Sequence, residues 1–308
     1  MSSARGEPLV RDVSDTARWV AVYRDRETER EDALFRDPFA RRLAGDRGRA
    51  IAERMDRTLS SPWAFTSRTW LFDRLIERAA AAGTDTVVNL AAGMDARPYR
   101  LRLPPALRWI EIDLPGILDE KEALLAGETP VCRLERLRLD LSEREGRRAA
   151  FERVGAGSRR TLVFCEGLLI YLTRAEVATL ARDLHEPPAF REWAVDLSSP
   201  GLLRMVQRTY MTELEGARVG MHFGPPEGPL FFEPLGWTPA EVGSLLKTAA
   251  RHGRLGLGMR LLALLPESRG RQGARPWSGV CRLERRERDL SGASAVDSSE
   301  SMRPGSAD

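Results

Sequence analysis

From Thr86 onward the chain alternates between two hydrophobic periods. Short apolar runs of β type fall at 86–90, 109–112, 131–139, 161–165 and 193–197. Amphipathic stretches of helical period lie between them, near 115–126, 142–154 and 173–185. This alternation predicts an α/β fold with a parallel sheet and helices on both faces. Residues 1–85 read instead as helical. Ser14 or Asp15 starts a helix that runs through Arg18, Val22 and Arg26. Phe35, Phe39 and Leu43 recur at intervals of four around the break at Asp37-Pro38, and Leu71, Phe72, Leu75, Ile76 and Ala79 share one face before a stop at Gly83.

Two capping boxes sharpen the later elements. Thr173 to Glu176 opens the helix after the fourth strand. Thr238 to Glu241, with Pro239 at the first helical position, predicts another helix that Gly253 ends. Segments 256–265 and 276–285 predict a closing β-hairpin. Residues 199–237 are punctuated by Gly and Pro and carry Tyr210, Phe223, Phe231, Phe232 and Trp237. They read either as a lid or substrate wall or as a structural excursion. The expected organisation is a helical cap over 1–85, a main domain over 86–290 containing the 199–237 insertion, and a disordered tail over 291–308.

Composition narrows the class of partner. The 308 residues can bury a sizeable core, and the 48 basic side chains are nearly matched by 45 acids. Only two of the basic residues are lysines, Lys121 and Lys247; the rest are arginines. Arg282, Arg285, Arg286 and Arg288 are interleaved with Glu284, Glu287 and Asp289, the pattern of a solvated face. No nucleic-acid partner is expected from such a surface. Cys132, Cys165 and Cys281 are odd in number and widely spaced, so neither a metal site nor a disulfide framework is expected. The first thirty residues contain no signal-type apolar region, and no run is long enough to span a bilayer. A cytoplasmic protein is the expectation.

The richest stretch for chemistry is Thr86 to Asp113. A strand enters a small-residue turn around Gly93, and about twenty residues on a second strand ends in Asp113. That layout suits a nucleoside: the turn admits close backbone approach, and the acid accepts hydrogen bonds from ribose hydroxyls. It is not a dinucleotide fingerprint, because Ala91 and Ala96 stand where two of the glycines would be. Met94, Asp95 and Arg97 crowd the place for phosphates. A nucleoside without phosphate, of which S-adenosylmethionine is the commonest, fits better than a dinucleotide; a turn with no ligand is the third reading.

Ligands of open parallel sheets bind at the carboxyl ends of the strands. Three of those ends carry acids: Asp113, Asp140 (with Leu141 after it) and Glu166. Asp113 suits a ribose, Asp140 an exocyclic adenine amine with Leu141 flanking the ring, and Glu166 a cationic methionine end. The alternative for a strand-end acid is a helix cap, and for Asp140 that alternative is the stronger one. Tyr171 and His222 are the nearest candidates for a catalytic base or an acceptor contact; their ordinary roles would be a wall residue and a loop histidine.

Taken together, these motifs resemble the leucine carboxyl methyltransferase-like family of S-adenosylmethionine-dependent methyltransferases, in its bacterial small-molecule branch. Val88 to Arg97 resembles V-x-L-G-A-G-x-D-T-R, with Ala91 for the first Gly and Ala96 for Thr. Glu111, Asp113 and Pro115 match E-x-D-x-P; Asp140-Leu141 matches a D-L pair; Glu166 to Leu172 matches E-G-x-x-x-Y-L. Glu27 to Ala40 and Phe231 to Trp237 also look like family features. The resemblance implies a class I methyltransferase fold, a Rossmann-like seven-stranded, mostly parallel sheet with a helical N-terminal cap. It implies S-adenosyl-L-methionine as cofactor, with Arg68 on its carboxylate, Gly93 and Glu166 at the methionine end, Asp113 on the ribose, and Asp140 and Leu141 at the adenine. The expected activity is O-methyl transfer to a small-molecule carboxylate or hydroxyl in secondary metabolism. A protein C-terminal carboxyl methyltransferase and an inactive cofactor-binding scaffold are the alternatives.

Overall fold

The computed structural model describes residues 13–56, 62–214, 220–268 and 270–287, with only the backbone of 13–14 and 210–214. The expected tail over 291–308 lies outside the described residues, as does the side chain of Tyr210. Three helices come first: α1 (Val13–Thr28), α2 (Ala40–Met55) and α3 (Pro62–Ala81). Then follow β1 (Thr86–Leu90), α4 (Arg97–Arg100), β2 (Arg108–Asp113), α5 (Pro115–Leu124), β3 (Arg133–Arg138), α6 (Arg144–Ala156) and β4 (Thr161–Cys165). A 3₁₀ turn (Leu169–Tyr171), α7 (Arg174–Leu184), β5 (Phe190–Ser198) and α8 (Pro200–Leu214) continue the chain. A second 3₁₀ stretch (Gly228–Leu235), β6 (Trp237–Ser244), α9 (Leu245–Arg251), α10 (Leu257–Ala263) and β7 (Ser278–Arg285) complete it.

The strands form one seven-stranded sheet in the order β3-β2-β1-β4-β5-β7-β6, parallel except for β7, which runs against both neighbours. This is the seven-stranded, mostly parallel α/β sheet that the resemblance implies. Alternation along each strand divides the core between two faces. Val88, Leu90, Val163 and Cys165 join Phe151, Leu180 and Trp193 on one side, while Val87, Leu162 and Phe164 join Phe72 and Ile76 of α3 on the other. A third cluster binds α1 and α2 to Met94 and Ala96. Arg254 fastens the same cap from the far end of the chain, with Nη2 on Glu27 Oε1 at 2.7 Å.

The strands and helices predicted between 86 and 198 are all present, each within a few residues of its expected span. The capping box at Thr173 is also present, with both of its reciprocal bonds. Two expectations fail. Thr238 to Glu241 is not a helix start but the middle of β6, paired with β7 through an irregularity at Pro239/Glu241. Pro239 is tolerated because β6 is the edge strand, where a missing N–H breaks no ladder on the open side. The helix begins only at α9, capped by the Ser244 hydroxyl, which accepts from the Lys247 N–H at 3.2 Å. The predicted hairpin is likewise wrong in its first arm: 256–265 contains α10, and β7 takes β6 as its partner. With β5 and β6 on its two edges, β7 has none left for 256–265.

The aromatic side chains described within 199–237 turn inward. Phe223, Phe231, Phe232 and Trp237 are all buried, and the Phe232 and Trp237 rings meet Trp193 edge-on at 5.2 and 5.8 Å. All three cysteines are buried and free.

Candidate active site

The strand order reverses between β1 and β4, so the crevice at their carboxyl ends is the switch point of the sheet. The β1 turn bends sharply there. Ala91 has φ +53° and Gly93 has φ +46°, both left-handed. For Ala91 this is a strained conformation, of the order of 1 kcal/mol, at the position where the family motif has glycine. A Cβ on Gly93 would sit 3.0 Å from the Ala17 methyl of α1, so the cap lies directly over the turn.

Asp113, at the tip of β2, reaches across to that turn. Its Oδ2 accepts the Gly93 N–H and its Oδ1 the Leu114 N–H, each at 2.7 Å. Burial raises the Asp113 carboxyl, and the two amides and the Lys121 charge only partly counter it.

Glu166, at the tip of β4, lies between two arginines. Arg68 Nε donates to its Oε1 at 3.0 Å and Arg97 Nη2 to its Oε2 at 2.7 Å. Burial would raise the Glu166 carboxyl, but the two guanidinium groups outweigh it and hold the group below its ordinary value. The pairing continues in both directions. Arg68 Nη1 donates to Asp196 Oδ2 at 3.1 Å, and the other Asp196 oxygen accepts the Gly167 N–H at 2.7 Å. Arg97 also binds Asp95 and Asp73; Asp73 binds Arg100, and Arg100 and Arg24 both pair with Asp37. Burial pushes the Asp95 carboxyl up, but Arg97, Lys121, Arg100 and Arg24 prevail and hold it at about 2.

Arg68, Gly93, Asp113 and Glu166 therefore line one crevice. Asp140 does not join them in the same way: it is exposed, and its Oδ1 accepts the Ser142 N–H at 2.8 Å. That is the turn-forming bond of an acid ahead of a helix. Leu141 is half-buried against the core. Tyr171 is half-buried beside Arg68, and its hydroxyl bonds to Thr16 of α1; burial raises it further than that bond lowers it. The His222 ring is exposed, although its backbone N–H donates to Ile170 O at 2.7 Å and so holds its loop against the 3₁₀ turn.

One expectation about the turn is corrected. Met94 and Arg97 do not crowd a phosphate position. Met94 is buried in the cap cluster, and Arg97 turns inward to its three acids. Three members of the site were missed in the sequence. Asp196 lies near the end of β5, next to the Val195 that pairs with Cys165, so extending the strand-tip rule by one strand would have found it. Asp95 stands in the resembled motif two residues before its partner Arg97, whereas Asp73 carries no comparable signal, because nothing local shows which arginine it will meet. A cavity of about 500 Å³ lies elsewhere, among α3, α9 and β6–β7, and contains none of the strand-tip residues.

Comparisons with known proteins show the family. The family model described as leucine carboxyl methyltransferase matches residues 17–185. A Frankia alni protein named "Putative S-adenosyl-L-methionine-dependent methyltransferase" is 34% identical over 267 residues, covering 82% of this chain and 92% of its own length. A Streptomyces avermitilis protein of the same designation is 34% identical over 253 residues, 78% of this chain and 87% of that protein. Among solved structures, a DUF574 family protein from Streptomyces avermitilis superposes with a TM-score of 0.54 at 15% identity, over 87% of this chain and 97% of that one, a likeness of fold. The chain belongs to the leucine carboxyl methyltransferase family.

Proposed function

We propose that this methyltransferase transfers a methyl group from S-adenosyl-L-methionine to an oxygen of a small molecule, a carboxylate or a hydroxyl. The observation that carries the reading is the convergence of Arg68, Gly93, Asp113 and Glu166 at the switch point of a family member's sheet. The donor set fits the cofactor in sign. Asp37, Asp73, Asp95, Glu166 and Asp196 face Arg24, Arg68, Arg97 and Arg100, leaving one formal negative charge over, and Asp113 adds another beside the turn. A sulfonium, an ammonium and a carboxylate together bring one positive charge.

In this reading Arg68 offers the cofactor carboxylate its Nη2, since Nε and Nη1 are committed to Glu166 and Asp196. Glu166 faces the ammonium and sulfonium. Each Asp113 oxygen keeps a lone pair beyond its amide bond and accepts a ribose hydroxyl. Leu141 flanks the adenine, and Asp140 reaches its amine by giving up the turn bond to Ser142. When bound, the cofactor supplies a methyl group already activated on sulfur. The chain then has to align the acceptor oxygen and exclude water, and positioning of this kind supplies roughly 7–11 kcal/mol. An ionised carboxylate needs no base at neutral pH, whereas a phenol does. The contacts of Thr16 with Tyr171 and of Ala17 with Gly93 bring α1 over the crevice, which favours a small acceptor over a folded protein. The bacterial small-molecule branch that the motifs resemble favours secondary metabolism.

Calorimetric titration with S-adenosylmethionine and S-adenosylhomocysteine, with NAD and ATP as controls, tests the site. Selective stoichiometric binding of the two sulfur nucleosides is expected, followed by S-adenosylhomocysteine release in a panel of carboxylates and phenols. Binding of NAD in their place would overturn the reading.

A further inference from the structure

Lys121 is one of two lysines among 48 basic residues, and its side chain is completely buried. Its Nζ donates to Glu111 Oε1 at 2.7 Å, and Glu111 is equally buried. The second Glu111 oxygen takes Arg136 Nε at 2.8 Å, so the acid is neutralised twice. A buried ion pair of this kind is poor value for stability, because desolvation consumes most of the Coulombic gain. Its location gives it another use. The same Nζ lies 3.5 Å from the carbonyl of Ala92, in the middle of the β1 turn. That carbonyl also accepts the Asp95 N–H at 3.0 Å, closing the turn. Ala91 and Gly93, on either side, are the two left-handed residues. The Lys121 charge also reaches Asp95, which is held low, and Asp113, where it only partly counters the upward push of burial.

We propose that Lys121 is a positioning residue for cofactor binding: from beneath, it fixes the strained Ala91–Gly93 turn against β2, so that the Gly93 amide and Asp113 are presented to the nucleoside as one rigid surface. A compact ammonium suits this place because its donors diverge in three directions from a point. A planar guanidinium would need more room between Glu111 and the turn. The inference rests on the methyltransferase reading above.

Lys121→Met keeps the aliphatic stem and removes the ammonium. The expected result is a rise of at least tenfold in the Kd for S-adenosylhomocysteine, measured by calorimetry on the full chain. Lys121→Met and Asp113→Asn combined should cost less than the product of the two single effects, because both act on one surface. A merely structural role predicts a lower melting temperature with Kd unchanged within twofold, and that result overturns the proposal. Lys121→Gln, which keeps an N–H donor without the charge, serves if the methionine variant does not fold. Its Kd is expected to rise at least threefold, and a change within twofold would again overturn the proposal. Absence of S-adenosylhomocysteine binding by the wild type would remove the methyltransferase reading and this inference with it. Wild-type binding with unaltered Lys121 variants would remove this inference alone.

Discussion

The Gly93 amide and the Asp113 carboxylate, twenty residues apart, are joined by a 2.7 Å hydrogen bond that locks the β1 turn to the tip of β2. Removing the acid therefore loosens the turn as well as deleting the acceptor proposed for the ribose. Asp113→Ala should weaken S-adenosylhomocysteine binding by at least about 1.5 kcal/mol, a little over tenfold. An unchanged Kd in a folded variant would remove Asp113 from the site.

Ala91 holds a left-handed φ of +53° that costs little only for glycine. Ala91→Gly relieves that strain and gives back part of it as chain entropy in the unfolded state. A net gain of about 0.5–1 kcal/mol in stability is expected. Chemical denaturation would measure it, and a loss of stability would show that the turn is not strained.

The buried acids set the acid limb of stability. Asp95 titrates at about 2 in the folded chain against 3.8 for an ordinary aspartate, and Glu166 is also lowered. The unfolded chain thus takes up these protons first, so their contribution is complete above about pH 5 and is lost as pH falls through 4 toward 2. Asp113 and Asp196 are shifted the other way and offset part of this loss, since protonating them favours the folded state. Asp95→Asn should flatten the fall in stability between pH 4 and 2, as followed by urea midpoints. An equally steep fall would place the titrating charge elsewhere.

Trp237 begins β6, is fully buried, and donates its indole N–H to Ala181 O at 2.9 Å. Trp237→Ala removes that bond and opens a cavity against Trp193. A destabilisation of about 3–5 kcal/mol is expected in equilibrium unfolding. Had the segment been an exposed helix start, the cost would stay below 1 kcal/mol.

His222 separates the two acceptor classes. With a carboxylate acceptor, His222→Ala should leave the single-turnover rate within a few-fold of wild type. A loss of about a hundredfold with unchanged acceptor binding would identify a hydroxyl acceptor and a working base.

The legible parts of the chain were those written in local periodicity. Thr86–Leu90 is apolar except for Thr86 and Asn89, and it lies between two strands in a buried parallel ladder. The strand-tip acids followed from the same pattern. Thr238 to Glu241 misled because its capping box is locally sound; pairing with β7 across some forty residues outweighs it. The charge network was hidden for a related reason. Arg97 reads as a turn residue, and its meeting with Asp73 of α3 and with Glu166, just after β4, is fixed only when three elements close on one another. Asp140 shows the opposite case, an acid whose local turn bond was the better guide to its conformation.

The clasp between Glu27 and Arg254 has a consequence for synthesis. The two residues are 227 positions apart, so the cap helix leaves the ribosome long before its fastening exists. At about 5–20 residues per second, roughly 10–45 s separate the two ends. Throughout that interval Glu27 can bond within its own neighbourhood, to the Leu34 amide and the Arg30 guanidinium, but lacks Arg254. The cap over the β1 turn is therefore completed late, only after nearly the whole sheet has been made.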